Sequence, residues 1–201
     1  MSANELKELT LLKCPPPSLH LLLCVNTIVE KLMEVWEWGL KEWLEQVNFK
    51  NYFGKTLEGN QCSQVLKMYD ALDILAHEHG RYDIASFVRV FKAMEGIKKA
   101  CFCDDLDPAF ESICDEFKAS LIALDEMHST SITPKFHMLC IHVKQYCQKT
   151  NKTLKLVSEQ ALESSHRVWT KIVQRFWVHP NNPLFLFKIL RAFETFLSEN
   201  I

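Results

Sequence analysis

The sequence predicts an all-α fold: a single helical domain of about eight helices, with no substantial sheet. Three observations carry that expectation. Apolar residues recur three and four positions apart through most of the chain, the period of a one-faced helix. Thirteen Phe and five Trp against only five Gly suit a dense helical core better than a sandwich with many turns. Only Thr153 to Val157 alternates like a strand, and that run is too short to build a sheet.

Residues 1 to 13 are expected to make a short helix that Pro15, Pro16 and Pro17 end; residues 1 to 14 are loosely attached and the core spans 15 to 198. Leu19, Leu22, Leu23, Val29, Leu32 and Trp36 then give a long helix, interrupted at Gly39 and resumed by Leu40, Trp43, Leu44 and Val47. Asn48 to Asn60 reads as a loop with Gly54 and Gly59, and Gly59 and Asn60 cap the helix that follows. That helix carries Cys62, Val65, Leu66, Tyr69, Leu72 and Ala76 and stops near His77, His79 and Gly80. The next starts near Tyr82 and presents Phe87, Val88, Phe91 and Met94.

Asp104, Asp105, Asp107 and Pro108 open another helix, where early acids and proline both fit. Its core face is Phe110, Ile113, Cys114, Phe117, Leu121 and Leu124. Pro134 starts a helix carrying Phe136, Leu139, Cys140, Val143 and Cys147. A further helix carries Leu162, Trp169, Val173 and Phe176, and the turn HPNNP (179–183) leads to a last one with Leu186, Ile189, Leu190, Phe193 and Leu197.

A net charge of −2 gives no global basic field, so any contact with nucleic acid must come from a local patch. The longest apolar run, Leu19 to Val25, includes His20 and is too short to span a bilayer, so no membrane association is expected. A chain of 201 residues buries enough core to need no disulfides. The eight cysteines are therefore expected as reduced thiols of an intracellular protein, nuclear or cytoplasmic.

The polar residues with chemical potential concentrate between Thr133 and His166. Glu159, Glu163 and His166 are spaced four and three apart and share one helical face beside the apolar stripe, where partial desolvation raises a carboxyl pKa. The same spacing also suits a capping box begun by Ser158, with acids favoured by the helix dipole. His137, Cys140, His142 and Cys147 lie close together, and Cys101 and Cys103 form a CxC pair. On an α-helix, however, His137 and His142 point about 140° apart and cannot easily share an ion. Cys140 and Cys147 fall on the apolar stripe, where thiols behave as small inert hydrophobes.

Lys135, Lys144, Lys149, Lys152 and Lys155 precede a second basic series, Arg167, Lys171 and Arg175, spaced four apart. Together they form either a phosphate-contacting surface or an ordinary solvated face.

Four blocks in order resemble a group of proteins encoded by animal transposable elements: PPPSLHLLLCVN (15–26), YFGKTLEGNQCSQVL (52–66), TPKFHMLCIHV (133–143) and SEQALESSH (158–166). The layout is similar to the C-terminal part of a DDE-type transposase, in which a helical insertion precedes a helix bearing the last catalytic acid. The resemblance implies that Glu159 or Glu163 stands at that metal-binding carboxylate, with His137 and His166 accompanying it. Mg²⁺ or Mn²⁺ would bind only if further carboxylates completed the site; no cofactor is otherwise required. The sequence departs from the family pattern at Cys24, where Gly is usual, and at NKTLKL (151–156), where a Gly-Leu-Gly turn is usual.

The expected function is that of a transposase-derived helical domain, catalytically incomplete, that binds DNA, or that binds a protein partner or itself through apolar helices. The alternative is an intracellular helical scaffold or adaptor with no nucleic-acid role, presenting an exposed apolar patch around Trp36, Trp38 and Trp43.

Overall fold

A computed structural model describes residues 21–46, 56–130 and 133–157, together with Arg191. The chain divides into two compact units, Met1–Ser158 and Glu159–Ile201. The described residues of the first unit are mostly helical, with no strand among them. They form six helices, in keeping with the expected all-α class: α1 Val25–Gln46, α2 Gly59–Lys67, α3 Tyr69–Glu78, α4 Ala85–Cys101, α5 Phe110–His128 and α6, residues 134–150. The helices expected before Pro15, over Leu162 to Phe176 and over Leu186 to Leu197 lie outside the described residues.

Helix α4 is the central element, packing along α5 on one side and against α1, α2 and α3 on others. Its sequence allows this because apolar residues surround most of the cylinder: Phe87, Val90, Phe91, Met94, Ile97 and Ala100 are all buried. The one acid among them, Glu95, is also buried, and it bonds Lys98 at 3.0 Å with Lys99 at 3.7 Å. Both partners come from the next turn of the same helix, so the carboxylate is compensated locally.

The interruption in α1 falls at Trp36, whose backbone leaves the helical region (φ −151°, ψ 66°), and not at Gly39. Gly39 serves the kink from three residues away. The Trp36 indole folds onto it so closely that a Cβ there would stand 2.1 Å from the ring. Arg81 holds the other side, with its guanidinium 5.3 Å from the indole centre and Nη2 donating to the Val35 carbonyl at 3.2 Å. Asp83 orients that guanidinium through bonds of 2.8 Å and 2.7 Å.

The expected single helix from Cys62 to Ala76 is divided at Met68 (φ −109°, ψ 20°). The buried Trp43 indole needs an acceptor, and its N–H donates to the Met68 carbonyl at 3.0 Å. The cap of α2 is Glu58, not Gly59 or Asn60; the Glu58 N–H donates to Gln61 Oε1 at 2.8 Å in a capping box. Buried Asn26 clamps the chain just ahead of it. Its amide donates to the Leu57 carbonyl at 3.1 Å, and the Leu57 N–H donates to its oxygen at 2.6 Å.

The 3₁₀ turn Tyr82–Ile84 leads into α4, as the expected start near Tyr82 requires. Thr153 to Val157, the only strand-like pattern, instead contains the 3₁₀ turn Leu154–Val157. No partner strand stands beside it among the described residues, and the turn buries the adjacent Thr153 and Leu154, which an extended strand would put on opposite faces.

Candidate functional site

Helix α6 carries most of the sequence-predicted chemistry that lies within the described residues. It begins as expected, with Pro134 in the first turn after Thr133. It then departs from α geometry. Residues Pro134–His137 are α-helical, Met138–His142 form a π turn, and Val143–Thr150 resume the α-helix. The Val143 N–H accordingly donates to the Met138 carbonyl, five residues back.

The π turn changes the relation between two histidines. Residues five apart are neighbours in a wider turn, and the rings of His137 and His142 lie 5.2 Å apart, nearly perpendicular at 76°. The 140° separation expected of an α-helix does not apply. His142 Nδ1 lies 3.2 Å from Gln145 Oε1, an oxygen that can only accept, so the contact is a hydrogen bond in the tautomer that carries its proton on Nδ1. His137 is exposed and His142 half-buried.

The lysines divide by their partners. Lys144 donates to both oxygens of Asp115 at 2.7 Å and stands 4.0 Å from Glu111, so its ammonium pKa is held above the ordinary value chiefly by the Asp115 hydrogen bond. Lys155 pairs with Asp104, and Gln148 donates to Glu111 at 2.7 Å. Acids ahead of and within the first two turns of α5 thus meet α6 along an ion-pair seam. Lys135, Lys149 and Lys152 are exposed. Arg167, Lys171 and Arg175 lie outside the described residues, as do Glu159, Glu163 and His166.

Beneath this surface are thiols. All seven described cysteines are free, and six are buried; Cys103 alone among them is exposed. The CxC pair therefore does not act together, because Cys101 points into the core while Cys103 Sγ lies 3.8 Å from the Lys98 carbonyl. Cys101 hydrogen-bonds to Cys114 and Cys147, which brings together thiols from α4, α5 and α6. Those two bonds and burial push the Cys101 pKa up and keep it protonated. A second group forms around Cys24, which burial and the neighbouring Cys62 push up. Burial also pushes Cys62 and Cys140 up to about 11, so Cys140 is inert despite its histidine neighbours.

A further aromatic cluster sits at the kink of α1. Of the three tryptophans expected to form an exposed patch, Trp36 and Trp43 are buried, because the first covers Gly39 and the second packs on Phe91 at 5.5 Å. Trp38 alone is exposed, at 56%, in edge contact with His79 at 4.7 Å. Tyr82, at 72% the most exposed of the large hydrophobics among the described residues, meets His77 at 5.8 Å. His79 and Tyr82 escaped sequence reading as members of such a surface, since they follow α3 in a turn that has no apolar period.

Among the described residues, no group of three or more His, Cys, Asp or Glu is arranged to hold a metal ion. No helix among them is long and apolar enough to cross a membrane. No protein-family model, curated protein or solved structure matches the chain.

Proposed function

We propose that this chain is a transposase-derived helical module that binds DNA rather than cutting it, using the lysines of α6 and the turn that follows. The observation that carries the reading is the series Lys135, Lys144, Lys149, Lys152 and Lys155 on α6 and the turn that follows it, with four of the five exposed. Four sequence blocks with the order and spacing of the transposase C-terminal part support the same assignment. Arg167, Lys171 and Arg175 would extend the contact. Glu159, Glu163 and His166 would contribute a metal-dependent step only with further carboxylates beside them, because two-metal chemistry needs several acids converging on ions about 4 Å apart.

Fluorescence anisotropy with a labelled duplex at several salt concentrations tests this reading. Phosphate contacts give an affinity that falls with salt, with a logarithmic slope of about −0.9 per contact. Lys135→Glu with Lys152→Glu should weaken binding and flatten that slope by about two contacts' worth. Adding Mn²⁺ should leave the affinity unchanged for a module that only binds. No binding at low salt would refute the DNA reading.

One observation favours a second reading, an intracellular helical scaffold or adaptor. Trp38 and Tyr82 expose large aromatic surfaces next to His79 and His77, a composition suited to a protein contact. On that reading, Trp38→Ala and Tyr82→Ala abolish a protein interaction while the lysine substitutions leave it intact.

A further inference from the structure

We propose that the π turn of α6 is a binding site for a borderline divalent transition metal such as Ni²⁺ or Zn²⁺, held by the imidazoles of His137 and His142. The inference is independent of any role in DNA binding.

Two imidazoles on one tetrahedral ion, with metal–nitrogen bonds of about 2.0–2.1 Å, hold their ring centres about 5 Å apart. The His137 and His142 rings are 5.2 Å apart with no ion required to draw them together. An α-helix does not place residues i and i+5 in this relation. The π turn does, and such turns have a structural cost that concentrates them at functional sites.

The second element is Gln145. Metal-bound histidines commonly donate the other ring N–H to an oxygen, which fixes the tautomer and aims the unprotonated nitrogen at the metal. Gln145 Oε1 occupies that position 3.2 Å from His142 Nδ1, which favours the tautomer that leaves Nε2 with its lone pair. Position 145 follows His142 by three residues, so the helix that resumes after the π turn supplies this support.

Nearby charge does not forbid a cation. Lys144 is neutralised by Asp115 and Glu111, and Lys135 is exposed and screened by solvent. Two protein ligands leave the remaining coordination positions open to water or an anionic group. The buried thiols lie outside the site, and the exposed Cys103 is a soft ligand that must be controlled for.

Isothermal titration of the full chain with Ni²⁺, in a non-coordinating buffer and a Cys103→Ser background, tests the proposal. One ion should bind per chain. His137→Ala or His142→Ala should each weaken binding at least tenfold, and Gln145→Leu about tenfold through loss of the oriented tautomer. All three positions are at least partly solvent-exposed, so helix content by circular dichroism should not change. A Cu²⁺ paramagnetic resonance spectrum should further show two imidazole nitrogens in the wild type and one in each single variant. Undiminished Ni²⁺ affinity in the His137→Ala/His142→Ala double variant, no binding at millimolar Ni²⁺, or a one-nitrogen spectrum in the wild type would overturn the assignment.

Discussion

Gly39→Ala should destabilise the protein even though alanine is the better helix former. In an open helical position the substitution gains about 1 kcal/mol of propensity. Here the new Cβ would stand 2.1 to 2.4 Å from three atoms of the Trp36 indole, which is a rigid ring and not the end of a flexible chain. Relieving that overlap means displacing a ring that is 93% buried, held by Arg81 on one side and touching His79 at 6.2 Å. Overpacking of this kind costs about 1–3 kcal/mol, and a weakened cation–π contact adds about 0.5–1 kcal/mol. After the propensity gain, the net loss is about 0.5–3 kcal/mol.

A double-mutant cycle by urea denaturation, followed by circular dichroism, separates the terms. Trp36→Ala alone should cost about 3 kcal/mol or more as a large-to-small core change. In that background Gly39→Ala should become stabilising by about 0.5–1 kcal/mol, because only propensity remains. The sign reversal is the decisive outcome. A stabilising effect of Gly39→Ala in the native background, or the same effect in both, would refute the indole–glycine contact as the origin of the kink.

Asn26→Ala should cost about 2–4 kcal/mol in the same assay, since it leaves the buried Leu57 N–H without its partner and the Leu57 carbonyl with the weak Cys62 thiol donor; a loss below about 0.5 kcal/mol would mean that water replaces the clamp. Stability should fall in acid through Asp83, whose carboxyl pKa is held below its ordinary range chiefly by the Arg81 hydrogen bond. Its contribution is complete above the unfolded-chain pKa of about 3.9 and disappears as the pH drops through the lower folded value. Because Asp83 is partly exposed, Asp83→Asn should flatten that acid limb by less than about 1 kcal/mol, measured as denaturation midpoint against pH. Thiol-reactive reagents on the native protein should modify Cys103 first among the seven described cysteines, as read by mass mapping; equally rapid labelling of Cys140 would contradict its burial and raised pKa.

Helix existence was legible because apolar period needs no tertiary information. The stripes through Phe87 and Phe91, Phe117 and Leu121, and Phe136 and Val143 all reach the core. Breaks were less legible. Met68 carries no helix-breaking chemistry, and its carbonyl is engaged by Trp43, a residue twenty-five positions earlier. Gly39 marked the right region of α1, but the dihedral change lies at Trp36 because a ring must fold over a position with no Cβ. The His137–His142 pair was invisible because a fixed 100° per residue assumes the α-helix that the π turn replaces. The lysine row was readable, whereas its pairing with Asp104, Glu111 and Asp115 depends on how α5 meets α6. The Glu159, Glu163 and His166 face lies outside the described residues.

The seam between α5 and α6 makes the protein its own competitor. On the DNA-binding proposal, a phosphate reaching the Lys144 ammonium would compete with Asp115, which already accepts through both oxygens, for all but one of its three N–H donors. Anion capture and closure of the helix junction therefore draw on the same donor, and linkage makes their antagonism mutual. A ligand that engages Lys144 loosens the seam, and whatever tightens the seam expels the ligand. On that proposal, Asp115 would weaken the capture of isolated anions more than that of a polyanion that meets several lysines at once.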